Sequence, residues 1–146
     1  MDKVTFITPG FAVMGATTPE DFAAAAAAGF RAVINNRPDG EDLNQLTAAE
    51  GADLARSAGL QYRHIPARMP DVLSDEVVGP MREALDSFEG PILAHCKTGL
   101  RSVVAWAAAQ ARTEPVDDVL ETLRQAGFQL DHLRDELEEQ AGRPPA

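Results

Sequence analysis

The chain has 146 residues, a length that is typical of one domain with its own hydrophobic core. Its 13 basic and 23 acidic residues give a net charge of -10, which excludes long-range attraction to nucleic acid or to an anionic lipid surface. An internal disulfide is also excluded, because Cys96 is the only cysteine. A lone thiol, without an apolar stretch of spanning length, predicts a cytoplasmic protein that does not bind membranes.

The first half of the chain alternates between β-prone and helical segments. Pro9-Gly10 separates two short β-prone runs, and Thr18-Pro19 supplies a helix cap and a first helical residue before a run of alanines. Thr47 and Glu50 match a second capping pattern. In chain order, these patterns predict strands at 4–7 and 11–14, a helix at 19–28, a strand at 30–35, a helix at 48–58 and a strand at 61–65.

The second half contains more helix. Ser74 caps a helix that Gly90-Pro91 ends, and an alanine- and valine-rich stretch around Trp106 is expected to form a buried helix. The remaining predicted elements are a helix at 75–88, a strand at 92–94, helices at 102–111, 115–126 and 130–141, and a flexible tail at 142–146. Strands that alternate with helices predict an α/β fold in three layers, with a mainly parallel central sheet and flanking helices.

Cys96 follows the last predicted strand, at the edge of the sheet where ligands of such folds bind. The backbone N–H groups after it can curl around an anion, Gly99 permits that curl, and Arg101 adds a planar fork of donors near a helix start. The same positive field favours a thiolate, so Cys96 is the predicted nucleophile. Ser102 could donate a hydrogen bond to the sulfur. The candidate loop is His95-Cys96-Lys97-Thr98-Gly99-Leu100-Arg101-Ser102.

Other candidate residues have weaker support from the sequence. Cys96 could instead be a small buried hydrophobic residue, as many lone intracellular cysteines are. His95 is expected to point away from the anion and to fix the loop through hydrogen bonds. Arg37 follows a predicted strand end and could line the mouth of the site. No metal site is expected, since metal-ligand spacing is absent from the three histidines, which are His64, His95 and His132.

The loop resembles the motif of cysteine-dependent phosphatases, although those proteins place five residues between the cysteine and the arginine. This chain has four, which is the spacing of rhodanese-type sulfurtransferases. Additional motifs resemble the phosphatase-like family that occurs alone or fused to beta-lactamase-like hydrolases. They are Val13-x-Gly15, Thr18-Pro19-Glu20-Asp21, Gly29-Phe30-Arg31-x-Val33-Ile34-Asn35, Arg37-Pro38-Asp39-Gly40-Glu41 and Tyr62-x-His64-Ile65-Pro66. The resemblance covers most of residues 4–111 and implies the dual-specificity-phosphatase fold.

The resemblance implies one of two reactions. A phosphatase would carry the phosphoryl group on Cys96, hold its oxygens with Arg101 and the loop amides, and use an acid soon after the strand that ends at residues 64–66. Asp71 is the nominated acid. A sulfurtransferase would carry a persulfide on Cys96 and needs no acid when the leaving group is sulfite. The fold and the His95-Cys96 pair favour the phosphatase.

A third alternative is a catalytically silent domain that binds phosphate or sulfate. None of the three functions requires a cofactor, and each predicts a small oxyanion or a phosphorylated substrate as the partner. The amphipathic pattern of residues 114–139 usually packs a helix onto its own domain, but it could instead pair two copies of the chain. A homo-oligomer therefore remains open at this point.

Overall fold

A five-stranded sheet forms the centre of the protein, in the order β1-β2-β5-β3-β4. Strand β1 is antiparallel to β2, and the other neighbouring pairs are parallel. The computed structural model describes residues 1 and 3–144. The strands are β1 (Thr5–Thr8), β2 (Phe11–Met14), β3 (Ala32–Asn35), β4 (Gln61–His64) and β5 (Ile92–His95).

Six helices cover the two faces of the sheet and make three layers, which confirms the predicted α/β architecture. They are α1 (Pro19–Ala27), α2 (Ala48–Ala58), α3 (Asp75–Ser87), α4 (Leu100–Ala111), α5 (Val116–Gln125) and α6 (Arg134–Ala141), and short 3₁₀ turns occupy Met69–Asp71 and Asp131–Leu133. Helices α1 and α2 pack on one face around Phe22 and Leu93. Helices α3 to α6 pack on the other face around Ile34, Trp106 and Leu120.

The helix starts follow the capping patterns found in the sequence. Thr47 Oγ1 accepts a hydrogen bond from the Glu50 amide at 3.1 Å, and the Glu50 carboxylate accepts one from the Thr47 amide at 2.8 Å. At α1 the Asp21 carboxylate accepts from the Thr18 amide at 2.7 Å, and the Asp21 amide donates to the Thr18 carbonyl oxygen at 3.0 Å. Because these bonds satisfy backbone N–H groups that a helix start leaves unpaired, both helices begin where the sequence predicts.

Three boundaries differ from the prediction by two residues or more, and several others differ by one. Strand β3 begins at Ala32 and not at residue 30, because the Phe30 amide donates to the Ala25 carbonyl and so belongs to the end of α1. Helix α4 begins at Leu100, two residues early, because Gly99 at φ +97° serves as its N-cap. The predicted helix at 130–141 is divided into the turn Asp131–Leu133 and the shorter α6.

The expected flexible tail is described only in part. Arg143 pairs with Asp75 at 2.9 Å and with Glu139 at 2.7 Å, so residue 143 contacts α3 as well as its own helix. Residues 145 and 146 lie outside the described residues. The flexibility of this segment stays a prediction.

The parallel strands end in one row, and this row positions the candidate loop. His95 at the end of β5 is in register with Met14 of β2 on one side and with Asn35 of β3 on the other. Asn35 is in turn in register with His64 of β4. The residues that follow these strands therefore leave the sheet at the same edge, as expected for a ligand site in a parallel sheet.

Gly15, the residue after β2, lies close to the loop that follows Cys96. A Cβ at this position would lie 2.9 Å from the Lys97 carbonyl oxygen, which belongs to the backbone and cannot rotate away. We expect Gly15→Ala to lower the free energy of unfolding by about 1–3 kcal/mol, because the loop after Cys96 must shift. Urea denaturation, with alkylation of Cys96 as a measure of loop geometry, checks this expectation.

Gly142→Ala is the matched control for that substitution. Gly142 follows α6 in the right-handed helical conformation, at φ -83°, and a Cβ there would lie 3.5 Å from the Glu139 carbonyl oxygen, which is an ordinary contact. Alanine in an unstrained helical conformation stabilises a protein by up to about 1 kcal/mol relative to glycine. Equal effects of the two substitutions would contradict a special packing role for Gly15.

Candidate active site

Cys96 leaves the sheet directly after β5 and is fully buried. Its amide donates to the Met14 carbonyl at 3.4 Å, and the carbonyl of His95 accepts from the Asn36 amide at 2.8 Å. These two bonds fix the backbone on both sides of β5. The Cys96 sulfur accepts a hydrogen bond from the Gly99 amide at 3.1 Å, so the loop amides do curl toward the thiol.

The loop after Cys96 is packed against the loop after β2. The Ala16 amide donates to the Lys97 carbonyl at 3.1 Å. A Cβ built on Gly99 would lie 3.5 Å from the Met14 carbonyl carbon. The φ of Gly99 is +97°, a conformation that residues with side chains rarely adopt. Glycine at this position therefore lets the chain turn sharply from the thiol into α4, whose N-terminal end then faces the sulfur.

Arg101 in the first turn of α4 has a fixed orientation. Its Nη1 donates to Glu41 Oε2 and to the Ala67 carbonyl, both at 2.7 Å, and its Nη2 donates to Glu41 Oε1 at 2.9 Å. The hydrogen bond with Glu41, and to a smaller extent the field of Cys96, raise the pKa of Arg101. Since a guanidinium has five N–H groups, the Nε side of Arg101 retains donors for an anion.

A second acidic residue, Asp42, lies between two other cations. Arg37 is buried and donates from Nε to Glu41 at 3.1 Å and from Nη2 to Asp42. Lys97 Nζ lies 3.5 Å from Asp42 Oδ2. Glu41 and Asp42 thus compensate much of the positive charge of the site, so an anionic ligand competes with the carboxylates of this loop.

Sequence reasoning named Arg37 but missed Glu41 and Asp42 as site residues. The spacing of four between Arg37 and Glu41 was visible in the quoted motif, but it is also common in ordinary surface ion pairs. Nothing in the sequence alone places this loop next to Arg101, which is 60 residues away along the chain from Glu41. Only the adjacency of β3 and β5 brings them together.

His95 differs from its expected role. The residue is 4% exposed, and among the described residues neither ring nitrogen has a hydrogen-bond partner. The side chain lies on the same face of β5 as Leu93, which packs toward α1 and α2. Burial first, and then the charge of Arg37, lower the pKa of His95 to about 4. The expected hydrogen bonds of the ring are therefore absent from the described part of the chain, and the imidazole is neutral near pH 7.

This histidine links stability to pH. An unfolded chain binds a proton at the ordinary pKa of 6.5 whereas the folded chain binds it at about 4, so stability is full above pH 6.5 and falls as the pH is lowered toward 4. We expect His95→Leu to remove roughly 2–3 kcal/mol of this acid-induced loss. Urea unfolding of both proteins from about pH 7.5 to about pH 4.5 measures the difference. Parallel pH profiles would contradict the assignment.

Asp71 lies in the 3₁₀ turn after β4 and is exposed. Its backbone hydrogen bonds are with Arg68 and Ser74. It lines a cleft beside β4 together with Arg63, His64 and Arg68, and no residue of the 95–102 loop lines this cleft. The role of Asp71 as an acid stays a prediction, and none of these contacts connects it with Cys96.

The remaining loop residues have distinct environments. Thr98 Oγ1 accepts from the Leu100 amide at 3.4 Å, and the side chain of Leu100 is exposed. Ser102 is fully buried, and its hydroxyl donates to Asn36 Oδ1 at 2.8 Å. The expected hydrogen bond from Ser102 to the sulfur is therefore not formed, since the hydroxyl group donates its hydrogen bond to Asn36. An open cleft of about 410 Å³ is lined by Lys97 and Arg37, together with residues 42–45.

The Glu41 ion pair has an expected signature in stability. Glu41→Gln removes the charge that pairs with Arg101, and we expect the free energy of unfolding to fall by about 1 kcal/mol near neutral pH. The Arg101 hydrogen bond lowers the pKa of Glu41 below 4.5, so its contribution is full above 4.5 and is lost as the pH falls through the lower, folded-state value. Urea unfolding near pH 7 and near pH 3 measures both limits.

Glu138→Gln at an exposed position of α6 is the control for charge removal. Its effect should be small at both pH values, since exposed carboxylates contribute little. If Glu41→Gln destabilised the protein equally near pH 7 and near pH 3, the ion pair would not be the cause.

Metal-binding clusters and membrane-spanning helices are both absent from the described residues. Among residues 1 and 3–144, no cluster of three or more histidine, cysteine, aspartate or glutamate side chains has the arrangement of a metal site. Within the same residues, none of the helices combines the length and apolar character needed to cross a membrane.

A parallel sheet whose central strand ends at a buried cysteine, followed by a curled loop and an arginine in the next helix, defines a protein with the protein tyrosine and dual-specificity phosphatase fold. The chain belongs to one family of this class. The family model for the phosphatase-like domain of the beta-lactamase hydrolase-like protein matches residues 3–113. This match confirms the family to which the sequence motifs pointed.

Known proteins support this assignment at two levels. A beta-lactamase hydrolase-like protein of Xylella fastidiosa strain 9a5c is 31% identical over 145 residues, which are 98% of this chain but 33% of the relative. The chain therefore spans about a third of the length of the curated relatives it matches. The crystal structure of a Neisseria meningitidis Z2491 protein, described provisionally as a phosphatase, is 26% identical with a TM-score of 0.78. The match covers 94% of this chain and 98% of the Neisseria chain.

A more distant comparison concerns the fold alone. The crystal structure of kinase associated phosphatase is 14% identical, with a TM-score of 0.62, and covers 97% of this chain and 96% of its own. The two chains therefore share a fold.

Proposed function

We propose that the protein is a cysteine-dependent phosphatase-like hydrolase in which Cys96 takes up the phosphoryl group. The observation that carries this proposal is the position of the Cys96 sulfur, which accepts the Gly99 amide hydrogen at the N-terminal end of α4. Arg101, held from its outer side by Glu41, faces the same region with its remaining donors. A nucleophile, an amide cradle and a planar cation thus converge on one anion.

The reaction has two steps. The Cys96 thiolate forms an S–P bond while the P–O bond to the leaving group breaks, and the leaving oxygen takes the electron pair of that bond. Water then attacks the phosphorus, and the sulfur leaves again as a thiolate with its electron pair, while phosphate is released. The loop amides and Arg101 stabilise the charge on the equatorial oxygens in both steps.

Leaving groups that need little protonation suit this site best. Asp71, the nominated acid, lines the cleft beside β4, and among the described residues its hydrogen bonds are with Arg68 and Ser74 and not with the loop. Exposed apolar side chains also follow three strands at this edge of the sheet, and they are Leu43 after β3, Met69 after β4 and Leu100 after β5. An aryl phosphate combines an acidic leaving group with an apolar ring, and it is therefore the appropriate first substrate.

Sulfur transfer is the second candidate, and a specific observation favours it. The loop has four residues between Cys96 and Arg101, the spacing of rhodanese-type enzymes. With thiosulfate, the Cys96 thiolate would bond to the outer sulfur, the S–S bond would break, and sulfite would leave with the electron pair. The persulfide would then pass its outer sulfur to a thiol or to cyanide. This reaction needs no acid in the position expected for Asp71.

A silent oxyanion-binding domain is the third candidate. The full burial of Cys96 favours it, because a nucleophile must reach the atom that it attacks. Such a domain would bind phosphate or sulfate and form no covalent adduct.

Intact-mass spectrometry separates the three functions. Wild-type protein and Cys96→Ser are exposed in parallel to an aryl phosphate and to thiosulfate, and then quenched in acid without reductant. We expect a phosphoryl adduct on the wild type, with release of the aryl alcohol, and no adduct on the variant. Because Cys96 is the only cysteine, Cys96→Ser removes every thiol and is a complete control.

The other outcomes have equally clear meanings. One added sulfur from thiosulfate, without any phosphoryl adduct, would replace the phosphatase by the sulfurtransferase. No adduct from either reagent, together with a thiol that iodoacetamide does not alkylate, would leave the oxyanion-binding domain and contradict the nucleophilic role of Cys96.

A further inference from the structure

Arg37 is a buried arginine whose backbone is fixed to two strands. The residue is 6% exposed and lies two positions after the end of β3. Its amide donates to Asn35 Oδ1 at 2.8 Å, and its carbonyl oxygen lies 2.8 Å from His64 Nε2 at the end of β4. Because a carbonyl oxygen only accepts, His64 is the donor of that bond. The amide and the carbonyl group of Arg37 are therefore both attached to the sheet.

One carboxylate oxygen joins Arg37 to Arg101. Glu41 Oε1 accepts a hydrogen bond from Arg37 Nε at 3.1 Å and another from Arg101 Nη2 at 2.9 Å. Glu41 Oε2 accepts from Arg101 Nη1 at 2.7 Å. The carboxylate thus contacts two guanidinium groups, and rotation of its plane would weaken a charge-assisted hydrogen bond to at least one of them.

Glu41 needs a fixed partner because its own segment of the chain is exposed. Residues 39–44 are all exposed and belong to no helix or strand. Among the described residues, the Glu41 side chain is hydrogen-bonded to the two arginines alone. The Arg37 side chain is 8% exposed, whereas that of Glu41 is 25% exposed. Since exposed ion pairs are weakly ordered by themselves, the buried Arg37 is the group that fixes the orientation of Glu41.

Arg37 has little charge to offer an anion directly. Its Nε and Nη2 donate to Glu41 and to Asp42, so two carboxylates face one guanidinium. Arg101 pairs with one carboxylate, and its pKa is raised by the hydrogen bond with Glu41 and further by the charge of Cys96. The thiol therefore lies within the field of Arg101, and Arg37 stands behind Glu41.

We propose that Arg37 is a positioning residue, which fixes the Arg101 guanidinium through the shared Glu41 oxygen and does not bind the anion itself. The proposal rests on the proposed role of Arg101 in holding the anion, and it applies equally to phosphoryl transfer, sulfur transfer and oxyanion binding. The Ala67 carbonyl binds a single nitrogen atom of Arg101, so by itself it leaves the guanidinium plane free to turn. With Arg37 and Glu41 in place, the arginine is ordered before the anion arrives, and binding does not have to supply that ordering.

NMR relaxation of the arginine Nε–H groups tests this proposal in the full chain without any ligand. Arg37→Lys keeps the positive charge, but one ammonium group cannot reproduce the planar fork that donates to Glu41 and Asp42 together. We expect the order parameter of the Arg101 Nε–H bond to fall from about 0.8 in the wild type to below about 0.6 in Arg37→Lys. An unchanged Arg101 order parameter would overturn the proposal.

Arg112 supplies the internal reference and the matched control. Its side chain is 5% exposed, and it donates from Nε to Gln140 at 3.0 Å and from Nη2 to Asp75 at 2.6 Å. The Arg112 order parameter should not change in Arg37→Lys, whereas a general loosening of the protein would lower it together with that of Arg101. Arg112→Lys should leave Arg101 as ordered as in the wild type. Equal falls at Arg101 in the two lysine variants would contradict a specific role for Arg37.

Glu41→Gln is the second arm, and it stays informative if Arg37→Lys does not fold. The neutral amide keeps the shape of Glu41 but loses the charge-assisted bonds, so we expect the Arg101 order parameter to fall in this variant as well. In the double variant, Arg37→Lys should add no further fall, since Arg37 acts through Glu41. Additive falls, or an Arg101 that stays ordered in Glu41→Gln, would overturn the proposal.

Titration with inorganic phosphate distinguishes positioning from direct binding. We expect phosphate to shift the Nε signal of Arg101 in the wild type and to leave that of Arg37 in place, with a dissociation constant about 3–10-fold higher in Arg37→Lys. Shifts of equal size at Arg37 and Arg101 would make Arg37 a ligand and overturn the proposal. If phosphate shifts neither signal, the anion site of the proposed function is contradicted, whereas the ligand-free order parameters still decide whether Arg37 positions Arg101.

Discussion

The hydrogen bonds at the carboxyl end of β5 are the constraint on which the rest of the site depends. The Cys96 amide reaches Met14 on one side, and the His95 carbonyl accepts from Asn36 on the other. After this row the backbones that follow β2, β5 and β3 separate, and the loop that follows Cys96 packs between the other two. The position of the thiol is therefore set by sheet register, which is rigid, whereas the loop amides and Arg101 are placed by what packs against that register.

Positively charged side chains cluster beside the candidate loop, although the molecule as a whole is acidic. A chain with a net charge of -10 repels anions at long range, yet Arg37, Lys97 and Arg101 gather at one edge of the sheet. Glu41 and Asp42 pair with these cations. The arrangement reduces the repulsion among three like charges, and an anionic ligand would have to replace part of these carboxylate contacts.

Phosphoryl transfer and sulfur transfer require many of the same groups. Each needs a thiolate, an amide cradle and a cation that stays in place while the negative charge moves. The two reactions differ in their demand for an acid and in how readily the sulfur must leave. The exposed position of Asp71 concerns the first of these properties.

Periodicity, caps and turns in the sequence were sufficient for the strands, the helices, the three-layer fold and the loop that begins at Cys96, because these features depend on contacts close in the chain. Helix α4 still began two residues early, since only the packed structure places Gly99 at positive φ. The partners of Arg101, the lack of partners for the His95 ring among the described residues, and the direction of the Ser102 hydrogen bond were decided by tertiary structure. Each depends on Glu41 or Asn36 meeting residues of a strand or helix far along the chain, and no local pattern encodes which of several polar side chains will be nearest.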